Sequence, residues 1–143
     1  VAIGRLADIK RVFQYHGAEH KVINAYEARE PLVVEKIQRY STLHPRCGTS
    51  FLLIVIVISI LIFSLLGKQV LWWRILSRVL LLPVVAGISY ELVKLSGKYA
   101  TAPLCRILIA PGLWLQKLTT NPPDDGQVEV ALSAFKAVLK EEN

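Results

Sequence analysis

Residues Cys47–Gly67 read CGTSFLLIVIVISILIFSLLG, a run without a charged side chain, broken between Phe51 and Leu66 only by Ser59 and Ser64. A helix crosses the hydrocarbon of a bilayer with about 20 mostly apolar residues, and this run is long enough. Its wealth of Ile and Val would also suit a buried strand. Strands seldom exceed about ten residues, so length decides for a helix. Thr49 and Ser50 are candidate caps of its first turn, and Gly67 a candidate terminator.

Working outward, Leu71–Leu95 is a second apolar block whose uncharged centre, Val79–Tyr90, is too short to span unaided. Arg78 can snorkel toward one face, and Glu91 and Lys94 can sit at the other, which extends the block to a full span. Pro83 and Gly87 predict a kink or a close helix contact rather than a break. A re-entrant second segment is the alternative. The connection between the blocks is short and carries Trp72 and Trp73, residues that favour the headgroup level, so the two helices are expected as antiparallel neighbours. Lys36, Arg39, Arg46, Lys94 and Lys98 flank the open side of this hairpin, against Lys68 and Arg74 in its turn. The positive-inside rule then makes the open side cytoplasmic, with both ends of the chain there.

The flanks complete an all-α reading. Ile9–Ala28 and Val33–Thr42 have mainly helical composition and are separated by Pro31. Thr101–Leu118 is apolar but interrupted by Arg106, Pro111 and Gly112, and reads as an interfacial or re-entrant segment. After a turn at Asn121–Gly126, with Asp124 or Asp125 a plausible cap, Val128, Ala131, Leu132, Phe135, Val138 and Leu139 recur at helical spacing. The expected architecture is a membrane helical hairpin (49–95) with cytoplasmic or interfacial helices at both ends (1–48, 96–120 and 121–143).

The chain has 143 residues, 53% hydrophobic, with 17 Lys and Arg against 11 Asp and Glu, a net charge of +6. That size suits one compact domain. No basic run is interleaved with exposed aromatics, so nucleic acid is not the expected partner. The cations flank apolar blocks as they do beside anionic lipid, so the lipid bilayer is the expected partner, with other membrane proteins beside it. Cys47 and Cys105 are far apart and form no disulfide framework, which fits a reducing, cytoplasm-facing setting. The chain opens on Val1 and contains no Met, so further sequence upstream is expected. The expected location is an inner (cytoplasmic) membrane.

Chemistry concentrates in His16-Gly17-Ala18-Glu19-His20. Residues four apart share a helix face, so the two imidazoles can bind one metal ion with Glu19 within reach of its water. The pattern matches the inverted zinc-peptidase motif His-x-x-Glu-His. The bland alternative is two interfacial histidines beside a carboxylate. The third histidine lies in His44-Pro45-Arg46-Cys47-Gly48, where His44 and Cys47 can ligate one ion from a turn. Cys47 also starts a helix beside Arg46, a setting that favours a thiolate, though a small residue packed at a turn explains it equally. Glu91 is a carboxylate in a membrane segment, which marks either a ligand or an ion pair with Lys94 at the membrane boundary.

Four stretches carry a resemblance: Arg11-Val12-Phe13-Gln14-Tyr15-His16-Gly17-Ala18-Glu19-His20-Lys21, His44–Phe51, Leu82–Glu91 and Pro111–Thr120. In these the chain resembles the bacterial integral-membrane YqhQ-type family, described as predicted metal-dependent enzymes, and corresponds to its C-terminal half. The resemblance implies a membrane protein with a metal site and names no substrate.

Two functions remain open at this level. In the first, His16 and His20 bind zinc, a third ligand comes from Glu91, His44 or Cys47, and Glu19 is the catalytic base of a hydrolase. In the second, the same cluster is structural, and the protein is a noncatalytic assembly or translocation partner in the membrane.

Overall fold

The computed structural model describes residues 6–99 and 102–141, and every regular element among them is helical. These are α1 (Ala7–Glu27), α2 (Val34–Ile37), α3 (Gly48–Leu65), α4 (Leu71–Lys98), α5 (Pro103–Thr119) and α6 (Asp125–Glu141). They divide into two units, one holding the residues up to 44 and from 114 onward, the other residues 45–113.

In the first unit α1 packs along α6, and α2 touches both. Their common core is Ala18, Val22, Ala25, Ile37, Val128, Ala131 and Leu132. Each large aliphatic buried there contributes about 1.5–3 kcal/mol, and the three alanines on α1 and α6 let the helices approach closely. Two termini show why the helices stop where they do. Arg29, at φ 57°, ends α1, with its N–H donating to the Tyr26 carbonyl and that of Glu30 to the Ala25 carbonyl, the pairing of a Schellman motif. At the start of α6, Asp124 Oδ1 accepts from the Gln127 N–H at 2.8 Å while Gln127 Oε1 accepts from the Asp124 N–H at 3.0 Å. Of the two candidate caps, Asp124 therefore fills the position, in a reciprocal capping box.

The helix expected over Val33–Thr42 is reduced to the single turn of α2. The reason lies in α1. Lys21 Nζ donates to the carbonyls of Gln38 (2.5 Å) and Tyr40 (2.7 Å), and Asn24 Nδ2 to those of Ser41 (2.9 Å) and Leu43 (3.1 Å). Side chains thus take the carbonyls of an irregular segment, and a buried backbone needs partners but not necessarily helical ones.

In the second unit α3 packs against α4. Both are long and apolar enough to cross a membrane, and only 6% of the apolar window of α3 and 17% of that of α4 is buried. A core helix of a soluble protein would be mostly covered. The cap of α3 is Cys47 rather than Thr49 or Ser50: its Sγ accepts from the Thr49 N–H at 3.5 Å. Gly67, at φ 66°, follows the last turn of α3, a conformation that favours glycine. The second apolar block forms one unbroken helix from Leu71 to Lys98, with Pro83 inside it. Gly87 is open rather than a helix contact. The close approaches are at Gly97, against the Arg46 side chain, and at Gly112, against Ser50. The segment expected to be interfacial forms α5 and accommodates Pro111, with Trp114 72% exposed; Thr101 lies outside the described residues.

Candidate metal centre

One face of α1 carries His16, His20, Asn24 and Glu27, spaced by four, four and three residues so that they stack along the helix. The chain crosses this stripe twice. At one end, Asn121 donates its N–H to the Phe13 carbonyl at 2.9 Å. This crossing needs Gly17, because a Cβ there would collide with the Asn121 carbonyl oxygen and lie 3.3 Å from Thr42 Cγ2. Glycine in a helix interior costs about 0.5–1 kcal/mol relative to alanine, and here that cost permits the approach of Thr119 to His16.

His16 Nδ1 lies 2.9 Å from the Thr119 carbonyl oxygen, and His20 Nδ1 lies 2.6 Å from that of Thr42. A carbonyl can only accept, so in both rings Nδ1 carries the proton and Nε2 holds the lone pair of the neutral imidazole. This is the arrangement found behind metal-bound histidines, where a carbonyl behind one nitrogen sets the tautomer and aims the other. The two rings stand edge to face with centroids 4.4 Å apart. His20 is 4% exposed and His16 is half-buried.

His44 joins them, its ring centroid 6.0 Å from that of His20. Its backbone is gripped from both sides by the fully buried Gln116, whose Oε1 accepts from the His44 N–H at 2.9 Å and whose Nε2 donates to the His44 carbonyl at 2.8 Å. Its Nε2 lies 3.3 Å from Glu27 Oε1. The first unit therefore brings all three histidines of the chain together.

Glu19 is exposed and borders a shallow groove between α1 and α6 lined by Ile23, Ala131, Phe135 and Val138, on the neighbouring face of α1. In the second unit, Cys47 is buried as the cap of α3, its Sγ 3.2 Å from Thr49 Oγ1, and Glu91 is exposed and pairs with Lys94 at 3.4 Å. Lys21, Asn24, Glu27 and Gln116 were not anticipated as site residues. Asn24 and Glu27 continue the spacing of the two histidines and were open to recognition on that ground; nothing local marks Gln116. Lys21 is 8% exposed, and its burial pushes the ammonium pKa below the ordinary 10.5. It holds the segment that presents Thr42.

Two neighbouring imidazoles with matched, preset tautomers form a donor pair that suits a borderline divalent ion such as zinc. Residues 1–141 match the family model described as "Protein of unknown function (DUF1385)". The chain belongs to this family. It is 52% identical over 132 residues to "Uncharacterized protein YqhQ" of Bacillus subtilis (strain 168), an alignment covering 92% of this chain and 42% of the relative. The chain thus spans less than half the length of that relative. No solved structure matches it.

Proposed function

We propose that this chain is the membrane-anchored, metal-binding part of a larger bacterial membrane protein, with zinc held by His16 and His20 at the cytoplasmic face and used for hydrolysis. The observation that carries the reading is the pair of Nδ1 anchors on Thr119 and Thr42, which orient two neighbouring imidazoles for ligation through Nε2. His44 is the third donor offered by the same unit, and Cys47 and Glu91 are tested beside it. The membrane placement is supported by two helices of spanning length and by the cations that flank them. When bound, zinc supplies Lewis acidity and lowers the pKa of a water ligand to about 7. The chain's own residues hold the imidazoles in one tautomer, fix the 38–44 segment against α1, and offer Glu19 as the general base for a peptide or lipid-linked ester at the interface.

A second reading is favoured by the position of Glu19, exposed beside α6 on a face next to the histidine stripe. In it the metal pins the cytoplasmic segments together, and the protein is an assembly or translocation partner in the membrane. Glu19→Gln separates the two. Under the hydrolase reading, metal content and melting temperature persist while complementation of a deletion strain collapses, matching a loss of about 100-fold or more in turnover. Full complementation by a Glu19→Gln protein that keeps its metal and stability would remove the catalytic reading and leave the noncatalytic one.

A further inference from the structure

Arg78 lies within the second apolar helix, on α4. Among the described residues it makes no hydrogen bond or ion pair; its guanidinium sits over the Phe63 ring, 5.4 Å from the centroid. No Asp or Glu occurs from Cys47 to Tyr90. A cation in a spanning segment is costly without a counter-charge, and such residues ordinarily have one.

The same guanidinium stands in a groove of about 490 Å³ between α3 and α4, whose other walls are apolar: Phe51, Val55, Phe63, Leu82 and Ala86 among them, with Ser59 the single hydroxyl. From Phe51 to Phe63 the groove follows twelve residues of helix, about 18 Å. The charge is at one end. Arg78 is seven residues into α4, about 10 Å from its start, within snorkelling distance of the level marked by Trp72 and Trp73, which are 82% and 54% exposed. Lys68 and Arg74 add two cations at that end. The groove thus pairs a cationic mouth with an apolar trough of acyl-chain length.

We propose that this groove is a binding site for an anionic phospholipid, its phosphate on Arg78 with Lys68 and Arg74 around it, and one acyl chain lying between α3 and α4. The proposal rests on the membrane reading above. A carboxylate on a partner helix would satisfy Arg78 but not use the cationic rim and the trough together; an anionic lipid matches both.

The test is native mass spectrometry of the full-length protein released from nanodiscs of phosphatidylcholine containing a minority of phosphatidylglycerol. Wild type retains phosphatidylglycerol in preference to phosphatidylcholine; Arg78→Gln lowers that preference about five- to tenfold, and Arg78→Lys keeps most of it. Val55→Phe, which fills the trough and leaves the charge, lowers retention of both lipids. Equal phosphatidylglycerol retention by wild type and Arg78→Gln overturns the site. So does an Arg78→Gln loss of thermal stability that is the same with and without phosphatidylglycerol, because Arg78 would then be held by a carboxylate of the longer protein. Release of the wild-type protein from membranes by alkaline carbonate would instead overturn the membrane reading itself.

Discussion

His20 donates from Nδ1 to the carbonyl of Thr42, 22 residues further along the chain, at 2.6 Å. That bond ties the orientation of a candidate ligand to the path of the irregular 38–44 segment, where Lys21 and Asn24 take the carbonyls of Gln38, Tyr40, Ser41 and Leu43. Local folding and ligand geometry are therefore one structure, and changes that loosen the segment should reach the histidines.

The crossing at Gly17 supplies the first expectation. Gly17→Ala gains helix propensity but drives a methyl group into the Asn121 carbonyl, so we predict a net loss of about 1–3 kcal/mol together with weaker zinc binding as Thr119 is pushed from His16. Denaturant unfolding and metal titration of the full-length protein measure the two effects. A variant as stable as wild type with unchanged affinity would show that the crossing does not set His16.

Lys21 gives a pH expectation. Its pKa is lowered below 10.5 by burial, so between the lowered value and 10.5 the unfolded chain holds a proton that the native state has released. Stability then rises with pH across that window, and the burial penalty is fully present below it. Lys21→Met removes this dependence while leaving the Gln38 and Tyr40 carbonyls unanswered, at a cost of about 1–3 kcal/mol near neutral pH. Unfolding free energies of the two proteins should therefore diverge further as pH approaches 10.5; parallel curves would contradict the assignment.

The hairpin was legible because its signal is local: 21 residues without charge from Cys47 to Gly67, a turn marked by two tryptophans, and a second apolar block. The two long helices of the first unit were legible as well, one through its composition from Ile9 to Ala28 and the other through the spacing of Val128, Ala131 and Leu132. The 38–44 segment was not, since its composition suits a helix and its true partners, Lys21 and Asn24, are 17 to 19 residues away. The site divides the same way. A four-residue spacing exposes His16 and His20, whereas the carbonyls of Thr42 and Thr119 leave no trace because every residue has one. The cap at Cys47 was hidden by the hydroxyls of Thr49 and Ser50, the more usual capping groups.

For topology, we predict that cysteines placed at Gln69 and Asp125, in a background lacking Cys47 and Cys105, lie on opposite sides of the membrane. The basis is the excess of basic residues on the open side of the hairpin. An impermeant thiol reagent added to intact cells should label the first and spare the second; equal labelling of both would refute the orientation.

The central claim is that His16 and His20 hold a metal, and the metal content of purified full-length protein tests it most directly. Wild type should carry about one divalent ion per chain, zinc by preference. His16→Ala/His20→Ala should carry none while keeping its helical content, and single His44→Ala, Cys47→Ala and Glu91→Ala variants identify the third ligand by which of them lowers affinity. A folded double variant that retains the full metal content of the wild type would contradict the account.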